Sequence, residues 1–144
     1  MLTRNLRFTA QMLGRAEMIF DLVADMPRYD RWLPHSSAFR GTINVTPYPV
    51  GLGTTYLDAG PIEKPGVVTE FDRPSHISFQ HTVQIRQRIL NTDVEARIRY
   101  TFDPNDRGTF VDRALVLYRR SPQGSLVRRC HFSFAAFARK TTGL

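Results

Sequence analysis

The sequence predicts an α+β fold: a seven-stranded antiparallel sheet wrapped around one C-terminal helix, with two short helices between the first and second strands. Three observations carry this. From Phe39 to Arg119 apolar and polar residues alternate at period two, interrupted by turns rich in proline and glycine. Between Arg15 and Pro34 the spacing switches to that of helical faces. The final segment, Ser125 to Lys140, is again helical in spacing.

The elements follow in order. Leu6, Phe8, Ala10 and Met12 alternate with Arg7, Thr9 and Gln11, which is a half-buried strand ended by Gly14. Ala16, Ile19, Phe20 and Val23 then mark one face of a helix over Arg15 to Asp25. Pro27 starts a second short helix carrying Tyr29, Trp32 and Leu33, and Pro34 stops it. Phe39, Gly41, Ile43 and Val45 alternate with Arg40, Thr42, Asn44 and Thr46 as the next strand. After the turn region Thr46 to Gly53 come two shorter strands, Thr54 to Ala59 and Val67 to Asp72, joined by the loop GPIEKPG.

The clearest alternation spans His76 to Arg86 and Leu90 to Phe102. Ile77, Phe79, His81, Val83 and Ile85 share one face of the first strand. Leu90, Thr92, Val94, Ala96, Ile98, Tyr100 and Phe102 share one face of the second. These are two long antiparallel strands with one apolar and one charged face each. The turn DPNDRG leads to a last strand, Thr109 to Arg119, apolar on both faces and therefore expected to be central. In the terminal helix Leu126, Val127, Cys130, Phe134, Phe137 and Ala138 fall on one arc. A sheet with one apolar face needs a cover, and this helix is long enough to supply it. A twisted sheet around one helix leaves an expected cavity between them, roofed by the short helices.

The 144 residues allow one domain with one core. No run of 18 apolar residues is present, which excludes an integral membrane helix. The N-terminus lacks the apolar stretch of a secretory signal, so a cytoplasmic location is expected. A single cysteine, Cys130, excludes an internal disulfide and a multi-cysteine zinc site. Net charge is +7, and 18 of the 20 basic residues are arginine. They are scattered, without the clustered stripe and groove-reading element that duplex binding favours, so a solvated basic surface and no nucleic-acid partner are expected.

The stretch RAEMIFDLVADMPRYDRWLP resembles the helix–helix signature of the polyketide cyclase/dehydrase and lipid-transport proteins, which are START-like (SRPBCC) helix-grip proteins. VVTEFDRPSHISFQ resembles that family's mid-sheet strand–turn–strand, and Gly108 to Phe110 its late-strand glycine–threonine start. The resemblance runs from Leu6 to Lys140. It implies a helix-grip fold, a single START-like ligand-binding domain over 1–144, and a pocket for a small hydrophobic molecule or lipid. It implies no cofactor, and it carries no catalytic role to any residue because the family has no universal catalytic set. The terminal helix looks shorter than is usual there, which would open the cavity mouth or let a second subunit close it.

His81 is the strongly polar residue on an apolar strand face. It is either a hydrogen-bond anchor or general base in the cavity, or a core histidine satisfied by a backbone carbonyl or by Tyr100. Tyr100 and Tyr56 offer apolar bulk with one polar tip, for orienting a ligand or for packing. Trp32, with Tyr29, is a mobile entrance or a plug. Cys130, Phe134 and Phe137 would line the cavity from the helix, and Cys130 lacks any cue for a reactive thiolate. Arg113 pairs with Glu70, Asp112 or a ligand carboxylate. The histidines lack metal-ligand spacing, Gly51 to Gly53 is no phosphate fingerprint, and no Gly-x-Ser-x-Gly appears, so no metal is expected. The leading reading is a carrier of a small hydrophobic ligand. The second is a cyclase- or dehydratase-type enzyme using His81 and Tyr100. The third, drawn from Phe132 among arginines, is a protein-interaction module with a homodimer as one form.

Overall fold

The structure, a computed structural model, describes residues 2–33 and 40–120. Within them β1 (Leu2–Met12) is followed by α1 (Ala16–Ala24) and a 3₁₀ helix (Met26–Arg31). Six strands complete the described chain: β2 (Thr42–Thr46), β3 (Thr55–Asp58), β4 (Lys64–Asp72), β5 (His76–Gln87), β6 (Leu90–Asn105) and β7 (Gly108–Arg120). They form one seven-stranded antiparallel sheet in the order β1-β7-β6-β5-β4-β3-β2. β1 and β2 therefore lie at opposite edges, and α1 with the 3₁₀ helix carries the chain across between them. No helix among the described residues is long and apolar enough to cross a membrane.

The long hairpin obeys its alternation. Ile77, Phe79, His81, Val83 and Ile85 are all buried on the inner face, and Ala96 stands opposite His81 while Tyr100 stands opposite Ile77. α1 buries Ala16, Ile19, Phe20, Val23 and Ala24, the face its spacing marks. It packs against β5, β6 and β7. Phe20 meets Phe71 and Phe102 edge-on, with ring centroids 5.2 and 5.6 Å apart. Pro27 sits in the first turn of the 3₁₀ helix, where its missing N–H costs no bond. Tyr29 meets Trp32 edge-on at 5.2 Å and donates its hydroxyl to the Val23 carbonyl.

The outer face is charged, and three of its arginines pair with carboxylates of other strands: Arg7 with Asp112, Arg86 with Asp93 at 3.0 Å, and Arg99, across β5, with Glu70 at 3.5 Å. These three arginine side chains are about half exposed or more.

Four details differ from the sequence reading. Ile43 points outward, 47% exposed, while Thr42 is the buried residue at 9%. Asn44 takes φ 54° and the β2–β3 register shifts between Ile43 and Thr46, which returns Val45 to the core side. Lys64, Pro65 and Gly66 belong to β4, paired with Asp58, Leu57 and Tyr56, rather than to a loop. β7 lies between β1 and β6, an interior position, yet only its odd residues are buried; Ala114 and Phe110 of the other face are exposed. Finally, Arg113 faces inward while Asp112 faces out to Arg7 and Glu70 takes Ser78 and Arg99. The Arg113 guanidinium lies instead over the rings of Phe8 and Tyr100, at 5.7 and 5.6 Å. Adjacent residues of a strand point to opposite faces, which separates Arg113 from Asp112.

The helix expected over Ser125 to Lys140 lies outside the described residues, as do Pro34, Cys130, Phe132, Phe134 and Phe137.

Candidate functional site

The inner face is mainly apolar over β5 to β7, with Arg113, Thr92 and His81 as buried polar exceptions, and becomes polar toward β2. Strand pairing places the polar residues side by side. Thr42 stands opposite Asp58, Asp58 opposite Lys64, and Tyr56 opposite Gly66, which in turn stands opposite His81. Asp58, Tyr56 and His81 are each at least nine-tenths buried. A polar group buried at this depth is costly unless bonded, and each of the three has a partner.

The Thr42 hydroxyl donates to Asp58 Oδ1 at 2.7 Å. Asp58 Oδ2 faces His81 Nδ1 at 3.7 Å. His81 Nε2 is 2.7 Å from the Tyr56 hydroxyl, and the two rings meet edge-on with centroids 5.3 Å apart. Gly66 makes this reach feasible. A Cβ there would lie 2.4 Å from Tyr56 Cζ, so the tyrosine ring spans β4 over a strand position that has no side chain. The partner that satisfies His81 is thus Tyr56, not Tyr100. Tyr100 sits four residues along the ladder, about 13 Å away at the rise of a strand. There it stacks on Phe102, meets Phe79 edge-on and lies beneath Arg113.

Burial shapes the electrostatics of the row. It pushes His81 down to about 3, with Lys64 and Arg113 adding to the effect, so the imidazole is neutral at ordinary pH. It pushes Asp58 up to about 6, against the Thr42 hydrogen bond and the Lys64 charge, which both lower it. The Tyr56 hydroxyl is held well above its usual range by burial and by the Asp58 charge, and Lys64 is lowered by burial. The neutral imidazole hydrogen-bonds the phenol through Nε2, while the carboxylate 3.7 Å from Nδ1 acts on it by charge alone. As a general base near neutrality the imidazole is weak.

These shifts act on stability in opposite directions. Folded Asp58 holds a proton up to about pH 6 against 3.8 for the reference carboxyl, so its favourable contribution is complete at low pH and is lost as pH rises through that window. Folded His81 releases its proton near 3 against a reference of 6.5, so stability rises with pH across that range. Relative to the His81→Gln/Asp58→Asn double variant, which carries the opposing slopes of the depressed Asp21 and Glu70 carboxyls, His81→Gln is expected to lose about 2 kcal/mol of stability between pH 4 and 6. Against the same reference, Asp58→Asn is expected to gain stability instead. Urea midpoints at four pH values check this; two variants with parallel profiles would contradict the assignment.

Of the residues singled out by sequence, Tyr56 and His81 come together. Tyr100 belongs to a separate aromatic cluster with Arg113, and Trp32 is half-buried at the end of the 3₁₀ helix. Asp58, Thr42, Lys64 and Gly66 were not marked by the sequence reading. Their one signal is parity, since Asp58 shares a strand face with Tyr56.

No protein-family model and no curated protein matches the chain. Solved structures do match. Ara h 8.0201 aligns at 10% identity and a TM-score of 0.66, covering 98% of this chain and 93% of that one. The Mll3558 protein from Rhizobium loti aligns at 13% identity and 0.63, covering 99% and 92%. A START superfamily protein from Mycobacterium smegmatis aligns at 14% identity and 0.60, covering 96% and 94%. The chain has a START-like fold. Within that START-like frame the polar row lies on the inner face, at the end of the sheet formed by the shortest strands. A cleft of about 370 Å³ opens between Pro27 and the β2 residues Thr42 to Val45, lined also by Tyr48, and shares Thr42 with the row.

Proposed function

We propose that the chain, as a single START-like domain over 1–144, binds a small hydrophobic molecule against the inner face of its sheet. The observation that carries this is the composition of that face: a mainly apolar floor from β5 to β7, interrupted by the buried Arg113 guanidinium of β7, with a buried polar row at its β2–β5 end. A floor of this kind holds a greasy body and offers a few fixed polar groups to orient it. The C-terminal segment, with Cys130, Phe134 and Phe137 on its apolar arc, supplies the opposite wall in this reading. The START-like fold supports it, since a sheet curved around one helix encloses space at the groove ends.

Native mass spectrometry of the purified protein after exposure to a lipid extract, together with fluorescence of an apolar naphthalene-sulfonate probe, tests the reading. The expected result is a retained small-molecule adduct and probe binding that a hydrophobic competitor reverses. A protein that retains nothing and leaves the probe dark would overturn it.

A second reading, an acid–base enzyme of the cyclase or dehydratase kind, draws on the same row. In it Tyr56, rather than Tyr100, is the phenol that works with His81, and Asp58 orients the imidazole.

A further inference from the structure

We propose that the Tyr56 hydroxyl is the polar anchor of this ligand site and that it selects hydrophobic molecules carrying a hydrogen-bond donor, an alcohol or phenol, over those carrying a carbonyl alone. The proposal rests on the ligand-binding reading above and deepens it.

Proton placement along the row decides the selectivity. Asp58 Oδ1 accepts the Thr42 proton, and Oδ2 faces His81 Nδ1 at 3.7 Å. A carboxylate beside Nδ1 favours the tautomer with its proton on that nitrogen. Nε2 is then a bare acceptor, and the group 2.7 Å from it is the Tyr56 hydroxyl, which donates its one proton there. With that proton committed, the Tyr56 oxygen has only lone pairs to offer. A ligand group that reaches it must donate. A carbonyl would set two acceptors against each other in a buried site, which costs as much as any unmade hydrogen bond.

Small residues flank the imidazole on both sides. The two cross-strand neighbours of His81 are Gly66 and Ala96, among the smallest side chains on the inner face. The Tyr56 ring covers the glycine side, and the alanine side carries only a methyl group above β6.

The same logic predicts a reversal in acid. Protonation of Asp58 removes the charge that favours the imidazole proton on Nδ1; with that proton on Nε2 instead, the Tyr56 oxygen becomes an acceptor and its own proton is free for a ligand carbonyl. The charged and titratable groups that face the row are Lys64 from β4, Arg113 from β7, Tyr29 from the 3₁₀ helix and Tyr100 from β6, besides Asp58, Tyr56 and His81 themselves. Asp58 is the carboxyl among them, and its burial places its titration near pH 6.

The experiment uses three molecules of one skeleton: tetralin, 1-tetralol and 1-tetralone. Each displaces the naphthalene-sulfonate probe from the full chain and from Tyr56→Phe. At about pH 7.5 the alcohol should bind the unaltered protein about ten- to a hundred-fold more tightly than the ketone. In Tyr56→Phe that ratio should fall to about one, with tetralin unaffected. At about pH 5 the ketone should gain on the alcohol in the unaltered protein only. A ratio that survives in Tyr56→Phe, or a ketone preferred at neutral pH, overturns the anchor while leaving ligand binding intact. Failure of all three molecules and of the probe overturns the binding reading itself. Nitrogen-15 NMR of His81 needs no substitution. It should find the proton on Nδ1 at neutral pH, and a proton on Nε2 would refute the assignment.

Discussion

Replacing Phe20 by alanine is expected to cost about 3–5 kcal/mol of folding stability. Phe20 is the fully buried centre of α1, at 0% exposure, and its ring is held edge-on by Phe71 of β4 and Phe102 of β6. The three rings clamp the helix to the sheet, and no neighbour in an antiparallel ladder can collapse far enough to refill the void. Guanidinium denaturation measures the loss. Met18, on the opposite side of the same helix at 67% exposure, provides the control, with an expected change within about 0.5 kcal/mol for Met18→Ala. A Phe20 variant that loses less than about 1 kcal/mol would mean that α1 is not packed as described.

Gly66→Ala is the second large effect, expected at about 2–4 kcal/mol. The added methyl would lie 2.4 to 2.6 Å from two ring carbons and the hydroxyl oxygen of Tyr56, so the ring must swing away and abandon His81 Nε2 in a dry environment. Backbone freedom is not at issue, because Gly66 has no left-handed φ, and an alanine suits a strand better than a glycine. The cost should therefore vanish when the ring is absent. Added to Tyr56→Leu, Gly66→Ala should cost less than about 1 kcal/mol, and the double-mutant cycle isolates the contact. An undiminished penalty in that background would place its origin elsewhere.

Much of the architecture was written in simple periodicities. The alternation through His76–Arg86 and Leu90–Phe102 placed the long hairpin and the inward face of His81. The Ala16, Ile19, Phe20, Val23 spacing placed α1 on its correct side. Legibility ended where local chemistry overruled period. Pro65 and Gly66 carry the signature of a turn, yet pairing with Tyr56 and Leu57 draws them into β4. Asn44 at positive φ reverses the parity of β2, so the apolar Ile43 faces out and the polar Thr42 faces in. The site was half legible. His81 stood out against its apolar neighbours, but its partners come from β3, whose four residues are too few to display a pattern. Which tyrosine reaches the imidazole depends on a glycine between them, and that depends on register rather than on composition.

The sheet is uneven along its width. β5, β6 and β7 run for 12, 16 and 13 residues, whereas β2 and β3 run for five and four. Rigidity is graded accordingly, from a stiff girder under α1 to a compliant margin at the opposite side, where few ladder bonds resist fraying. The Asp58–His81–Tyr56 row spans the transition between the two, with its imidazole mounted on the girder and its carboxylate and phenol on the margin. Local opening is thus expected first at the margin, parting Asp58 and Tyr56 from His81, while the mainstay of the fold stays closed.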